Sequence, residues 1–236
     1  MRPADGTPAG LRDRAALHLP AAALNWWNAR HPWSHNDHFH GWLLRNLPDR
    51  RTSALDVGSG RGGLLARLAE QFDHVTGIDP DPEMVAVARA LVAAEPGVEV
   101  RQESLLDTAG HYDVVTAVAS LHHLPFEAAL SRAKTLVAPG GRLLVVGLAR
   151  LGSPVDVVYD GVSLLLNPLV GLAKHPRPFR GGPQPPGVPV RSPEETYTQV
   201  RAVAERVLPG VRVRRRLFFR YTLRWDHPAS ADSSAP

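Results

Sequence analysis

Between residues 53 and 149 two hydrophobic patterns alternate along the chain. "SALDV" (53–57), "HVTGID" (74–79), "VEVRQ" (98–102), "YDVVTAVAS" (112–120) and "RLLVVGLA" (142–149) are short runs, apolar throughout or at every second position, and each predicts a strand. Between them "GLLARLAEQF" (63–72), "PEMVAVARALVAA" (82–94) and "FEAALSRAKTLV" (126–137) repeat apolar residues every three or four positions, the spacing of a helix with one buried stripe. Strand and helix exchanging this regularly predict an α/β fold whose parallel sheet is covered on both faces.

The flanks follow other rules. Residues 1–20 are rich in Pro, Gly and Ala and are expected to be disordered, whereas Trp27, Phe39, Trp42, Leu43 and Leu47 recur at roughly helical spacing and predict helix over 21–47. Past residue 150, "GVSLLLNPLVGLA" (161–173) is the most apolar stretch. Asn167 and Pro168 interrupt it, and it falls short of the ~20 apolar residues of a spanning helix, so no transmembrane segment is expected. "HPRPFRGGPQPPGVPV" (175–190) reads as a loop longer than a connector. "PEETYTQVRAVAERVL" (193–208) predicts a helix, with Ser192 as N-cap and Glu195 at capping-box spacing. "VRVRRRLFFRYTLRW" (211–225) reads as one strand or two, since no turn signal interrupts it, and the tail 227–236 is expected to be disordered.

Composition narrows the chemistry. The 236 residues, 44% of them hydrophobic, suffice for one α/β core with a small appendage. The absence of cysteine excludes disulfides, zinc–thiolate sites and thiol catalysis, and points to a cytoplasmic location. The N-terminal region lacks the uninterrupted apolar run of a secretory signal. A net charge of +4 is modest, and Lys134 and Lys174 are the only lysines among 27 basic residues, so the arginine bias reflects composition more than a nucleic-acid role.

The sharpest motif is "LDVGSGRGG" (55–63), at a strand-to-helix junction. Gly58 permits the tight turn, Gly60 and Gly62 let the backbone approach a ligand, and the helix beyond offers free N–H groups. "GIDPDPEM" (77–84) places Asp79 about 20 residues downstream, where a carboxylate can accept from both ribose hydroxyls of a nucleoside cofactor. Gly58, Gly60 and Gly63 also satisfy the dinucleotide fingerprint, so an NAD-dependent oxidoreductase is an alternative, although no Tyr-x-x-x-Lys motif accompanies it.

Together with "YDVVTAVASLHHLP" (112–125) and "LVAPGGRLLVVG" (136–147), these motifs resemble, in order and spacing, those of the class I S-adenosylmethionine-dependent methyltransferases, above all the small-molecule branch that includes ubiquinone- and menaquinone-type enzymes. The resemblance covers about residues 34–150. It implies a Rossmann-like, doubly wound sheet of seven strands with the last antiparallel, and S-adenosylmethionine bound over the carboxyl ends of the first strands. By position it implies that Asp56, Gly58, Ser59 and Gly60 line the methionine part, that Asp79 holds the ribose and that Pro80 flanks the adenine. "RQES" (101–104) departs from the family's usual Gly-Asp-Ala, yet Glu103 can accept from the adenine amino group and Ser104 can offer its backbone N–H. Ala119 and Leu121 would sit near the cofactor. His122 and His123 follow the fourth strand, at the rim facing the transferred methyl, and are the candidate catalytic bases.

In this family the segment before the first strand folds over the cofactor. That gives "WWNARHPWSHNDHFH" (26–40), with three tryptophans and four histidines, a reading as part of a helical lid over 21–50. Trp26, Trp27 and Trp33 are candidate walls for an apolar or aromatic acceptor, and His35, Asn36 and His40 candidate contacts to acceptor or cofactor. A zinc site from His31, His35, His38 and His40 is the competing reading, but no carboxylate or cysteine pairing supports it and no metal is expected. The expected organisation is one methyltransferase domain over 21–226, with an insert at 151–190 near the acceptor site. The expected partner is a small-molecule acceptor, a natural-product or quinone-like compound, methylated by in-line transfer. An RNA methyltransferase using "RVRRR" (212–216) on phosphate is the alternative; no Asn/Asp-Pro-Pro-Tyr motif or separate RNA-binding module supports it, and no nucleic-acid partner is expected. The sequence does not choose between monomer and homodimer.

Overall fold

The computed structural model describes residues 31, 33–177 and 191–229. Expectations for residues 1–20, for Trp26 and Trp27, and for most of the 175–190 loop lie outside the described residues. Two short helices, α1 (His35–His38) and α2 (His40–Arg45), precede strand β1 (Ser53–Val57). Then follow α3 (Gly63–Ala69), β2 (His74–Asp79), α4 (Pro82–Leu91), β3 (Val98–Gln102), β4 (Tyr112–Val118), a short 3₁₀ turn at Leu121–His123, α5 (Phe126–Leu136) and β5 (Val137–Gly147). The long helix α6 (Pro154–Lys174) leads on to α7 (Tyr197–Val207) and the hairpin β6 (Arg212–Arg216) and β7 (Arg220–Asp226).

The strands form one sheet in the order β3-β2-β1-β4-β5-β7-β6, with β7 antiparallel to both of its neighbours. Alternation along the central strands explains the layers. Val115, Leu143 and Val145 point to the side packed by Leu130, Ala133 and Val200, whereas Val114, Leu144 and Val146 point to the side packed by Leu64, Leu68 and Val85. Each face is apolar because each is covered by helices, as the continuous apolar runs require. The strand order reverses between β1 and β4, and a crevice at such a point, beyond the carboxyl ends of the strands, is where open α/β sheets bind ligands. A buried carboxylate fixes the opposite end of these strands: Asp113 accepts from the Thr52 and Ser53 N–H groups at 2.9 and 3.0 Å and pairs with Arg50.

Three local expectations are corrected, and a fourth point left open by the sequence is decided. First, α6 runs unbroken through Pro168 for 21 residues and is long and apolar enough to cross a membrane by length and composition. Proline removes one backbone hydrogen bond, which a helix of this length tolerates. Second, α7 is capped by Thr196 with Gln199, not by Ser192 with Glu195. The same capping-box spacing occurs twice, and the Arg150 N–H bond to Glu195 O at 2.7 Å keeps the earlier segment extended. Third, helix before β1 begins at His35 among the described residues, in two short pieces rather than one.

Fourth, the terminal segment is two strands, joined through Phe218 and Phe219, each with φ of 62°. Left-handed backbone costs a bulky residue about 1–3 kcal/mol, so sequence rules expect Gly or Asn there. Burial of Phe218 offsets that cost. Its ring lies 4.9 Å from Trp33 and 5.1 Å from His38, and its N–H donates to Ser163 Oγ at 2.7 Å.

Candidate active site

The loop after β1 is shaped by what it must avoid and what it must hold. Gly58 has φ of 68°, and a Cβ there would lie 2.4 Å from Ser120 Cβ. Only glycine lets the β1 and β4 loops meet this closely. Ser120 Oγ closes the contact by donating to Val57 O at 2.6 Å. The Gly58 and Ser59 N–H groups donate to Ile78 O at 2.8 and 3.0 Å, tying the loop to β2.

Two carboxylates face the loop. Asp79, at the end of β2, accepts the Gly60 N–H on one oxygen and the Asp81 N–H on the other, both at 2.9 Å. Each oxygen keeps a further lone pair for an outside donor. Asp81 then caps α4, accepting from Glu83 N–H at 2.8 Å. Asp56 is buried and accepts from Thr116 Oγ1 at 2.8 Å. Burial pushes its carboxyl up to about 7, against the Thr116 hydrogen bond and with help from the Asp79 charge.

That shift has a definite sign for stability. A carboxyl raised in the folded state binds more protons folded than unfolded between its ordinary range and pH 7, so stability falls as pH rises through that window. Asp56→Asn is therefore expected to raise the thermal midpoint at pH 8, by on the order of 3 kcal/mol in stability, with the gain vanishing near pH 4. Paired melting curves at the two pH values check this, and equal gains at both would oppose it. A cation bound beside Asp56 would draw the proton off, so cationic ligands should bind more tightly above pH 7.

Loop, acids and helix ends enclose a cavity of about 520 Å³. Asp56, Gly58, Ser59, Gly60, Asp79, Pro80, Glu103, Ser104 and Ala119 all line it. So do Met84 and Leu105, which the sequence reading passed over. Met84 could have been found, because it stands on the first turn of a helix capped by Asp81 and started by Pro82. Ala119 holds φ of 53° at the end of β4, a strained conformation directly on the cavity wall. Ser59 lines the cavity, and its Oγ is buried with no hydrogen-bond partner among the described residues.

The histidines separate into two groups. His40 and Asn36 line the cavity, with Ser34 and Asp37 beside them, and His123 lines it from the other side. Trp33 and His35, expected as pocket wall and contact, do not line it. Trp33 packs on Phe218, and the His35 Nε2–H donates to Asn167 Oδ1 at 3.0 Å on α6. Burial, then the Arg220 charge, push His35 down to about 4. His31 turns away too, its Nδ1–H donating to His175 O at 2.6 Å. Among the described residues no group of three His, Asp or Glu side chains is placed to hold a metal ion.

His122 and His123 stack at 4.2 Å, but only His123 faces the cavity. Burial, then the His123 and Arg220 charges, push His122 down to about 4, and its Nδ1 is buried without a hydrogen-bond partner among the described residues. Burial and the Arg191 charge lower His123 as well, so its imidazole stays neutral below the usual histidine range.

A glycine loop at the strand-order switch, an acid at the end of the second strand and a cavity between them define a nucleoside-cofactor site on a doubly wound sheet. Residues 54–141 match the family model described as a methyltransferase domain. An uncharacterized methyltransferase of Mycobacterium tuberculosis is 31% identical over 204 residues, covering 84% of this chain and 98% of that protein. A ubiquinone biosynthesis O-methyltransferase of Aeromonas salmonicida is 43% identical over 119 residues, covering 48% of this chain and 50% of that protein. Among solved structures, the magnesium protoporphyrin IX methyltransferase of Synechocystis PCC 6803 with bound S-adenosylhomocysteine overlays with a TM-score of 0.53 at 19% identity, covering 89% and 88% of the two chains. The N-methyltransferase NodS of Bradyrhizobium japonicum overlays with a TM-score of 0.53 at 16% identity, covering 81% of this chain and 96% of that one.

The chain belongs to the class I S-adenosylmethionine-dependent methyltransferases. It is an enzyme of that class, and its cofactor is S-adenosyl-L-methionine. The site's chemistry fits the group: an acceptor-rich wall suits a ligand that brings hydroxyls, an amino group and positive charge.

Proposed function

We propose that the enzyme methylates a small, apolar or aromatic acceptor through a hydroxyl or amine, with Asp56, Ser59 and the Gly58–Gly60 backbone at the methionine part, Asp79 at the ribose and Glu103 at the adenine. The observation that carries the acceptor class is the charge of the cavity wall. Asp37, Asp79, Asp81 and Glu103, joined by Asp56 above pH 7, line it against Arg61. A wall this acidic repels the phosphates on which nucleic-acid affinity depends. The arginine-rich strand β6 lies at the far edge of the sheet, separated from the β1 loop by β4, β5 and β7. A volume of about 520 Å³ falls within the range of small-molecule pockets. The O-methyltransferase relatives of ubiquinone biosynthesis add support for a hydroxyl acceptor.

The cofactor supplies a methyl group on a positively charged sulfur, already activated for displacement. What remains for the protein is alignment and exclusion of water. Helices α1 and α2 close the acceptor side through Asn36 and His40, with Arg220 donating to Asn36 Oδ1 at 2.9 Å and fixing that amide. His123 is positioned to take the proton that a hydroxyl or amine must lose. Its neutral form persists below the usual histidine range, so the acidic limb of kcat should fall below about pH 6.5.

The test is transfer of labelled methyl to a panel of phenols, quinols and aryl amines, with total RNA as a parallel arm. Label should enter a small acceptor and not the RNA. His123→Gln should lower kcat roughly 100-fold with the affinity for S-adenosylhomocysteine unchanged. Label in RNA would replace the acceptor class, and an unchanged kcat would remove His123 from the chemistry.

A further inference from the structure

Helix α6 wears its apolar side outward. On its inner side Ser163 Oγ accepts the Phe218 N–H at 2.7 Å, Asn167 Oδ1 accepts from His35 at 3.0 Å, and a Cβ at Gly171 would lie 2.8 Å from His31 O. These contacts, one per turn, fix the helix's rotation. On its outer side Val155, Val158, Val162, Leu165, Leu169 and Leu172 repeat every three or four residues, and Val158, Leu165 and Leu169 are 60–63% exposed. At about 100° per residue these six fall within an arc of roughly 100°, while Asp156, Asp160 and Lys174 fall around the inner side. A helix on a globular surface normally does the reverse.

The surroundings say what covers this face. The outward side carries no charged residue, and its flanks carry cations. Arg215 of β6 pairs with Asp156 at 3.0 Å, which brings the outer strand, with Arg212 and Arg214 exposed, alongside the first half of α6. Arg177 is exposed just past its other end. A second copy fits poorly. The face is about 31 Å long and about 10 Å wide, so pairing two would bury roughly 600 Å², half of what a specific interface needs. Positions flanking the seam are Tyr159, Gly161, Leu166, Pro168 and Ala173, without the charges that pair coiled-coil helices.

We propose that α6 anchors the enzyme on an anionic membrane surface. Its Val/Leu face enters the boundary between headgroups and acyl chains, and Arg212, Arg214 and Arg177 meet the headgroups. The helix lies in the surface rather than across it, because its opposite side is held by the protein. This proposal does not rest on the acceptor class. It does place the cavity beside the membrane: Asn167 holds His35 on α1, whose next residue, Asn36, lines the cavity.

Flotation of the full chain with phosphatidylcholine vesicles, with and without phosphatidylglycerol, tests it. The protein should float with the anionic vesicles, less as salt rises, and scarcely with phosphatidylcholine alone. Leu165→Glu with Leu169→Glu should lower vesicle binding roughly tenfold or more, as should Arg212→Glu with Arg214→Glu, each leaving S-adenosylhomocysteine binding intact. Because the chain has no cysteine, Leu165→Cys gives a single labelling position for a polarity-sensitive dye, whose emission should shift to the blue on anionic vesicles. Three results would overturn the proposal: no flotation, flotation untouched by the double leucine variant, or a dye that stays in water. A dimer seen by light scattering and dissolved by that variant would assign the face to a second copy instead.

Discussion

Asp79→Ala is expected to weaken S-adenosylhomocysteine binding by about 3 kcal/mol, roughly 150-fold. Two losses combine. The carboxylate's charge-assisted bonds to two ribose hydroxyls disappear, and so do the bonds it accepts from the Gly60 and Asp81 N–H groups, which hold the glycine loop over the cavity. The global fold should change little, because the strands around Asp79 are held by their own ladders, so the thermal midpoint should stay within about 4 °C. Calorimetric titration beside a melting curve reads both. Unchanged affinity would remove Asp79 from the ribose, and loss of the fold would make its role structural.

Gly58→Ala should be more severe. Its Cβ would stand 2.4 Å from Ser120 Cβ, and the left-handed backbone adds its own strain. Either the Ala119–Ser120 segment or the β1 loop must move, and both border the cavity. We expect a loss of about 3 kcal/mol in stability and no measurable cofactor binding. For stability Gly60→Ala is the informative control, because it shares the left-handed backbone but no protein atom lies within 4 Å of a Cβ there. If Gly60→Ala cost more stability than Gly58→Ala, close approach of the β1 and β4 loops would not be what Gly58 provides.

The sheet was legible in the sequence because β1, β2, β4 and β5 are buried on both faces, and a buried strand must be an apolar run of limited length. The edge strand β3 shows as alternation. The cofactor motif was legible for a related reason. A turn that tight needs glycine at fixed positions, and the acid that faces it must end the next strand. Elements that depend on tertiary partners were not. Nothing in "RLFFRY" announces a turn, because Phe218 and Phe219 hold left-handed backbone only with Trp33, His38 and Ser163 packed around Phe218. Asn167 and Pro168 interrupt the apolar stretch in the sequence, yet the helix runs through them. Trp33 and His35 look like pocket residues in one dimension, yet the Phe218 ring and the Asn167 amide draw them to the other side of α1. Asn36 and His40, only one and five residues beyond His35, reach the cavity.

The central claim is that the Gly58–Gly60 loop, Asp56 and Asp79 together form the S-adenosylmethionine site. Calorimetric titration of the full chain with S-adenosylhomocysteine, beside NAD, at pH 8 tests it most directly. The account predicts one site per chain at about micromolar Kd, close to −8 kcal/mol, and no comparable heat from NAD. Tighter binding of NAD than of S-adenosylhomocysteine would contradict it.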